Sequence, residues 1–394
     1  MRYRHPLASL LIALQILGCN ATGDDDTVDD DTGDDDSAPG DDDSAPGDDD
    51  DSAGSSDDDS AGDDDSAAWT EQQQRGADLY QQYCSLCHGA QGEGYAADEA
   101  NALGNEVFLA AATDEFLRGS ISHGRPGTPM SAWGMDYAGP LSPQDIDDLV
   151  AFLRSWGEHS LPQIHSTVIS ADSEAGLVVY QQHCASCHGE SGQGATAISI
   201  ANPWFLELAS DGFLLHAIDV GRPGTQMAAW DPVLPLIERH NLVALLRSWA
   251  SPVDDTVVPP FNPDLSDHLL GIGGAPADFA AVLQGGRFVA VEQVWDAYDA
   301  GYEFVLLDAR PGSDYLASHI SGAVSVPFHR MDEALGLLPQ ERWIISYCGC
   351  PHALSGEAAD ALLAAGFTRV AVLDEGFYEW LADGHPTTSG TARF

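Results

Sequence analysis

Apolar and polar positions follow four successive patterns along this chain. The first is a mainly apolar run, "PLASLLIALQILG", after Arg2 and Arg4. About a dozen apolar positions are too few to cross a bilayer, and they suit the hydrophobic stretch of an export signal. The second is its opposite: from Asn20 to Ala68 the repeats "DDDSAPG", "DDDDSAG" and "GDDDS" hold almost nothing apolar. The third begins after Trp69, where amphipathic segments of helical period appear and two of them end in "LRSW", at Trp156 and Trp249. The fourth starts near Phe288 and alternates short apolar runs ("FVLLDA", "WIISYC", "VAVLD") with helical segments. That alternation predicts an α/β domain with a parallel sheet.

Charge separates the second pattern from the rest. The chain carries a formal net charge of -48, and Asp24 to Asp65 hold 22 aspartates with no basic residue, leaving about -26 elsewhere. Like charges repel, and no apolar burial offsets the ordering entropy, so residues 19–69 are expected to be a disordered acidic tether. Calcium loops space their ligands alternately and close with an acid, unlike these solid Asp triplets. The acidic remainder argues against nucleic acid and anionic membrane surfaces as partners and favours basic ones.

An internal repeat divides the third pattern. "GADLYQQYCSLCHG" (Gly76 to Gly89) returns as "GLVVYQQHCASCHG" (Gly176 to Gly189), and "GRPGTPMSAW" (Gly124 to Trp133) returns as "GRPGTQMAAW" (Gly221 to Trp230). Two copies of one all-α domain follow, expected over residues 70–158 and 165–251. A Pro-, Gly- and Asp-rich linker is expected over 252–286, and the α/β domain over 287–394.

Each copy carries Cys-x-x-Cys-His, as Cys84, Cys87 and His88, then Cys184, Cys187 and His188. In an exported protein this spacing is the attachment signal of c-type haem. Two thiols one turn apart reach the two vinyl groups as thioethers, and the next histidine is carried under the iron. Comparing the copies finds the sixth ligand. The first offers His123, Met130 and Met135, but Val220 stands where His123 aligns and nothing matches Met135. The shared candidates are Met130 and Met227, and His/Met ligation suits electron transfer at raised potential. Arg125 and Arg222 are placed to pair with haem propionates. Gly76 and Gly176 are expected to let a closing helix cross tightly, bearing Phe152 and Trp156 in one copy, Leu246 and Trp249 in the other. Trp133 and Trp230 are expected to pack the haem edge.

The copies resemble class I cytochrome c domains over about residues 70 to 250 together. That family usually supplies a proline soon after the histidine, whose carbonyl orients the imidazole; neither copy has one. Upstream, "ILGC" resembles a bacterial lipoprotein cleavage box, which implies a signal peptide over residues 1–18 and lipidation of Cys19. The resemblance places the protein outside the cytoplasm, on the periplasmic face of the inner or outer membrane, tethered by lipid and not embedded.

In the fourth pattern, "FVLLDARPGSDYLASHISGAVSVP" resembles the rhodanese family, with Asp308, Arg310 and "HISGA" from His319 in place, and Trp380 in the closing segment. The resemblance implies an active-site cysteine at Cys348, in a loop whose inward N–H groups and following helix favour an anion. Its chemistry would be attack of the thiolate on sulfane sulfur, giving a persulfide that passes to an acceptor. The loop departs from the family, because Gly349 to Ala365 contains no Arg or Lys. It supplies instead Cys350, placed to resolve a persulfide or sulfenate on Cys348, and His352, placed to polarise the thiolate or a substrate. Two readings stay open, a sulfur-handling cysteine or a non-catalytic docking module. The expected whole is a dihaem c-type cytochrome that exchanges electrons with basic-faced partners and has a rhodanese-like domain.

Overall fold

The computed structural model describes residues 69–94, 100–157, 161–258, 269–349 and 352–394. The expected signal segment, Cys19, the acidic tether and Cys350 lie outside the described residues. No helix among the described residues is long and apolar enough to cross a membrane.

The first helical repeat contains α1 (Glu71–Tyr83), α2 (Ser85–His88), α3 (Glu106–Ala111), α4 (Asp114–His123) and α5 (Pro143–Arg154). The second contains α6 (Ser173–His183), α7 (Ala185–His188), α8 (Pro203–Leu208), α9 (Asp211–Val220) and α10 (Leu236–Ser248). Polar caps start the equivalent helices: Asn105 and Asn202 cap α3 and α8, and Thr113 and Ser210 cap α4 and α9. Each cap oxygen satisfies amide donors that the first turn leaves open. The first helix of each copy crosses the last. A Cβ at Gly76 would lie 2.0 Å from the Asp148 carbonyl oxygen, and one at Gly176 2.1 Å from that of Asn241. Phe152 is the next residue at the first crossing and Leu245 at the second, while Leu246, expected on this helix, is buried and lines the second cavity.

The copies pack on each other through four phenylalanines. Phe116 stacks on Phe213 at 4.8 Å, while Phe108 meets Phe213 at 6.4 Å and Phe116 meets Phe205 at 6.2 Å, both edge to face. Reciprocal hydrogen bonds flank them, from Asn105 to the Pro223 carbonyl (2.8 Å) and from Asn202 to the Pro126 carbonyl (3.0 Å). The repeat in the sequence is thus a pseudo-two-fold pair in space.

The C-terminal part runs α11 (Ala280–Leu283), β1 (Phe288–Val289), α12 (Val291–Asp299), β2 (Val305–Asp308), α13 (Gly312–Ala317), β3 (His319–Ile320), β4 (Val324–Ser325) and α14 (Met331–Ala334). It continues with β5 (Ile344–Tyr347), α15 (Ala353–Ala364), β6 (Val370–Leu373), α16 (Gly376–Ala382) and β7 (Thr387–Thr388). The parallel sheet has the order β1-β6-β5-β2-β4, and β3 pairs with β7 antiparallel. Every residue of β2, β5 and β6 is buried, as helices on both faces demand, which is why these strands read as unbroken apolar runs. The segment expected as linker joins this core early: Leu270 and Phe279 are buried, and the Leu270 amide donates to the Phe304 carbonyl at 2.8 Å.

Candidate haem cavities and the cysteine loop

Each helical repeat encloses a cavity at its Cys-x-x-Cys-His segment. The first, about 350 Å³, is lined by Cys84, Cys87, His88, Arg125, Met130 and Trp133 among others. The second, about 200 Å³, is lined by Cys184, Cys187, His188, Arg222, Met227 and Trp230 among others. Asn101, Phe108, Ile198 and Phe205 line both, so the cavities share a wall.

The histidines are oriented by backbone. His88 Nδ1 lies 2.8 Å from the Asn101 carbonyl oxygen, and His188 Nδ1 lies 2.9 Å from that of Ile198. Donation from Nδ1 leaves the lone pair on Nε2, the arrangement a metal-ligating imidazole needs. Burial pushes both imidazoles below their usual pKa, which keeps them neutral. These carbonyls do the work that the sequence assigns to no residue, since the usual proline is missing. Behind each histidine, the Tyr80 and Tyr180 hydroxyls donate to the carbonyls of Gly89 and Gly189, both at 2.7 Å. Each tyrosine ring meets the closing tryptophan, Trp156 or Trp249, edge to face at 5.0 Å.

The methionines come from matching turns. The Arg125 amide donates to the Met130 carbonyl at 2.7 Å, and Arg222 to Met227 at 2.8 Å. Gly124 and Gly221 open these turns at φ of 62° and 64°, and a Cβ would sit 2.3 Å from the Ser131 oxygen or 2.4 Å from the Met227 oxygen. Glycine is therefore required twice over. The other candidates in the first copy turn elsewhere. His123 stacks on Trp204 at 3.6 Å and bonds the Gly119 carbonyl, and Met135 is exposed.

The donor set and its surroundings fit an anionic, iron-bearing macrocycle. Arg125 and Arg222 lie over phenylalanine rings and bond neighbouring carbonyls, Arg125 also Ser120, but form no ion pair among the described residues. Burial lowers both to about 10, a cost that an incoming carboxylate would relieve. Burial pushes Cys84 up to about 12 and Cys184 to about 11. Thioether formation removes that acid–base question.

In the α/β domain, β5 delivers Cys348, which is buried with Sγ 3.2 Å from Ser355 Oγ. Ser355, one turn into α15, is the polar neighbour that sequence reasoning missed; only its seven-residue spacing hinted at it. His352 is engaged elsewhere, its Nε2 3.1 Å from Asp374 Oδ1 and its ring beside Phe288. The Asp-x-Arg pair is a brace and not an anion clamp. Arg310 reaches Asp308 through Nε (2.9 Å) and Nη2 (2.6 Å), and the Tyr347 hydroxyl donates to the same carboxylate at 2.9 Å. Burial opposes the charge on Arg310, yet the adjoining Asp308 outweighs it and raises its pKa.

The cysteine loop meets the first helical repeat. A Cβ on Gly349 would come 3.4 Å from Pro129 Cα, and the Tyr378 hydroxyl donates to the Thr128 carbonyl at 2.6 Å. Phe328 lies edge-on to Tyr83 (6.0 Å) and Trp133 (6.1 Å), and Asp314 sits beside Ser131. Residues flanking Met130 on both sides are thus in contact with the α/β domain.

Comparison with known families agrees with this division. The family described as cytochrome c oxidase, cbb3-type, subunit III matches residues 71–153 and again 171–246, and the rhodanese-like domain family matches residues 290–383. The chain carries cytochrome c domains and a C-terminal rhodanese-like domain. A cbb3-type cytochrome c oxidase subunit CcoP of Azospirillum sp. (strain B510) is 27% identical over 199 residues, covering 46% of this chain and 57% of that protein. A probable adenylyltransferase/sulfurtransferase, MoeZ of Mycobacterium tuberculosis, is 31% identical over 115 residues, or 29% of each chain. This chain therefore spans little more than half the length of its cytochrome relative and less of the other. The solution structure of the rhodanese-like domain of the Alr3790 protein from Anabaena sp. is 30% identical, covers 26% of this chain and 79% of its own, and has a TM-score of 0.25.

Proposed function

We propose that this protein is a dihaem electron carrier. His88 and Met130 would hold one iron, His188 and Met227 the other, with Cys84, Cys87, Cys184 and Cys187 as thioether anchors. Bound c-type haem supplies one-electron redox chemistry. The residues around it keep the imidazoles neutral and line each cavity with phenylalanines, and Arg125 and Arg222 would pair with its carboxylates. The observation that carries this reading is the shared wall: His and Met line each cavity, and Asn101, Phe108, Ile198 and Phe205 border both. Such adjacency suits exchange between the two centres. An export signal and a lipid on Cys19 would put the carrier outside the cytoplasm, where its acidic surface would meet basic redox partners.

Mass spectrometry of the purified chain tests this directly. Two covalent haems and a lipid on Cys19 are expected, and Met130→Ala or Met227→Ala each removes half of the methionine–iron charge-transfer absorbance. One haem or none, or a spectrum indifferent to both substitutions, sinks the assignment.

For the rhodanese-like domain, the buried Cys348 beside Ser355 supports binding or transfer of sulfane sulfur. Without a loop arginine, thiosulfate turnover is expected to be weak. Treatment with a persulfide donor followed by labelling of Cys348, with Cys350→Ser for comparison, decides it. An unreactive Cys348 leaves the domain as a docking module.

A further inference from the structure

The two cytochrome domains share a fold and differ in what covers the same face. In the first, Ser131, Ala132 and Trp133 are all buried, with Phe328 of the rhodanese-like domain against Trp133 and Asp314 beside Ser131. In the second, the aligned Ala228 and Ala229 are exposed and Trp230 is half-buried. The closing helices differ in residue type at positions exposed in both copies. Arg154 and Arg247 make matching bonds to the carbonyls of Leu109 and Leu206, which aligns Leu236 and Ile237 with Pro143 and Gln144. Leu236 is 52% exposed, and Ile237 and Val233 are each 62% exposed. The first copy folds with Pro and Gln at these positions, so the domain's core does not ask for Leu and Ile. Single exposed aliphatic residues are ordinary, but several within ten residues of chain, beside a segment that lines a cavity, point to an interaction site. Ala228 and Trp230 line the second cavity as well as bordering this patch.

Charge identifies what would sit there. The chain has no lysine, and all 15 of its basic residues are arginines. In the second copy Arg222 lines the cavity, Arg239 is shared by Asp219 and Asp231, and Arg247 pairs with Asp211. Asp231 and Glu238 flank the aliphatic residues in sequence, with every arginine of this copy so engaged. A second copy of this chain would bring the same sign of charge and be repelled. We propose that Ala228, Ala229, Trp230, Val233, Leu236 and Ile237 form the docking surface for a redox protein whose apolar contact is ringed by lysines or arginines. This rests on the electron-transfer reading above. In the first copy the rhodanese-like domain covers the equivalents of Ala228, Ala229 and Trp230, though not Pro143 and Gln144, so among the described residues the second copy's face is the uncovered one.

The test uses the full-length holoprotein and, as probe, a lysine-ringed cytochrome c with zinc in place of iron, so that binding is read without electron transfer. The native protein should bind it with an affinity that falls as salt rises. Leu236→Ser/Ile237→Gln should weaken binding roughly tenfold and Leu236→Lys/Ile237→Lys further. Leu337→Lys, an exposed position on the rhodanese-like domain, should leave it unchanged. The proposal is overturned if the native protein shows no salt-sensitive binding, if the paired variants bind as it does, or if Leu337→Lys weakens binding equally. It is also overturned if the patch mediates self-association. Reduction by a small neutral mediator separates the two levels. A native chain that carries no reducible haem sinks both readings, whereas normal reduction with unaltered binding in the variants sinks the surface alone.

Discussion

In the first cytochrome domain, Met130 belongs to a turn held from outside by Tyr378 and Gly349; in the second, Met227 belongs to the same turn with Ala228 and Ala229 exposed beside it. Inside, the two domains match closely: a backbone carbonyl on each histidine, a tyrosine on each Cys-x-x-Cys-His helix, and in each cavity an arginine without a carboxylate among the described residues. The difference teaches that ligand geometry is set by contacts within each copy, while the outer face follows its neighbour. Beside Met130 the first copy buries Ser131, Ala132 and Trp133 under the rhodanese-like domain, whereas the second exposes Ala228 and Ala229; Pro143 and Gln144 are exposed, as Leu236 and Ile237 are.

The largest effect should fall on both copies alike. Gly76→Ala and Gly176→Ala each force a Cβ into a backbone carbonyl, and each should cost roughly 3 kcal/mol or more in unfolding free energy. Denaturant titration followed at the haem band would show it. A loss in one copy only would break the claimed equivalence of the crossings. A smaller effect should be confined to the first copy. Phe328→Leu keeps the apolar core but removes two edge-to-face ring contacts, costing about 1 kcal/mol. Amide exchange should quicken around Tyr83 and Trp133 and stay unchanged around His183 and Trp230. Equal quickening in both would mean that the rhodanese-like domain does not cover the first copy specifically.

The smallest effect concerns Asp314, whose Oδ2 is buried without a hydrogen-bond partner among the described residues. Burial raises its pKa, so the folded state holds the proton more firmly than the unfolded chain does. The stability it contributes is full below the unfolded carboxylate range and is lost as pH rises through the raised folded value. Asp314→Asn should therefore remove part of the drop in Tm that sets in as pH rises above the unfolded carboxylate range. A wider drop in the variant would reverse the sign argued here.

Much of this was legible before any coordinates. Helical periodicity and the repeat announced two all-α domains, and apolar runs bounded by helical segments announced the parallel sheet, because burial on both faces writes itself directly into residue type. The shared Met130 and Met227 stood out by comparing copies, and both line the cavities with their histidines. The carbonyls of Asn101 and Ile198 were invisible, since a backbone acceptor has no side-chain signature. The loops carrying them also differ, lying 13 residues beyond His88 but 10 beyond His188. The offset between the copies falls from 100 at the histidines to 97 at the methionines and 93 at the closing tryptophans, which pairs Phe152 with Leu245. Ser355 was missed for a different reason: a serine inside a helical run looks like filler until the fold sets it against a sulfur. The packing of Gly349 on Pro129 joins segments more than two hundred residues apart, and nothing in either segment advertises the other.

The wall between the two cavities carries one more consequence. Asn101 orients the first copy's histidine while bordering the second copy's cavity, and Ile198 does the converse. A duplication normally yields modules that can be shuffled, truncated or fused one at a time. Here each module has lent part of its partner's lining, so a chain cut between the copies would expose both sites along the same seam. The unit of inheritance is the pair.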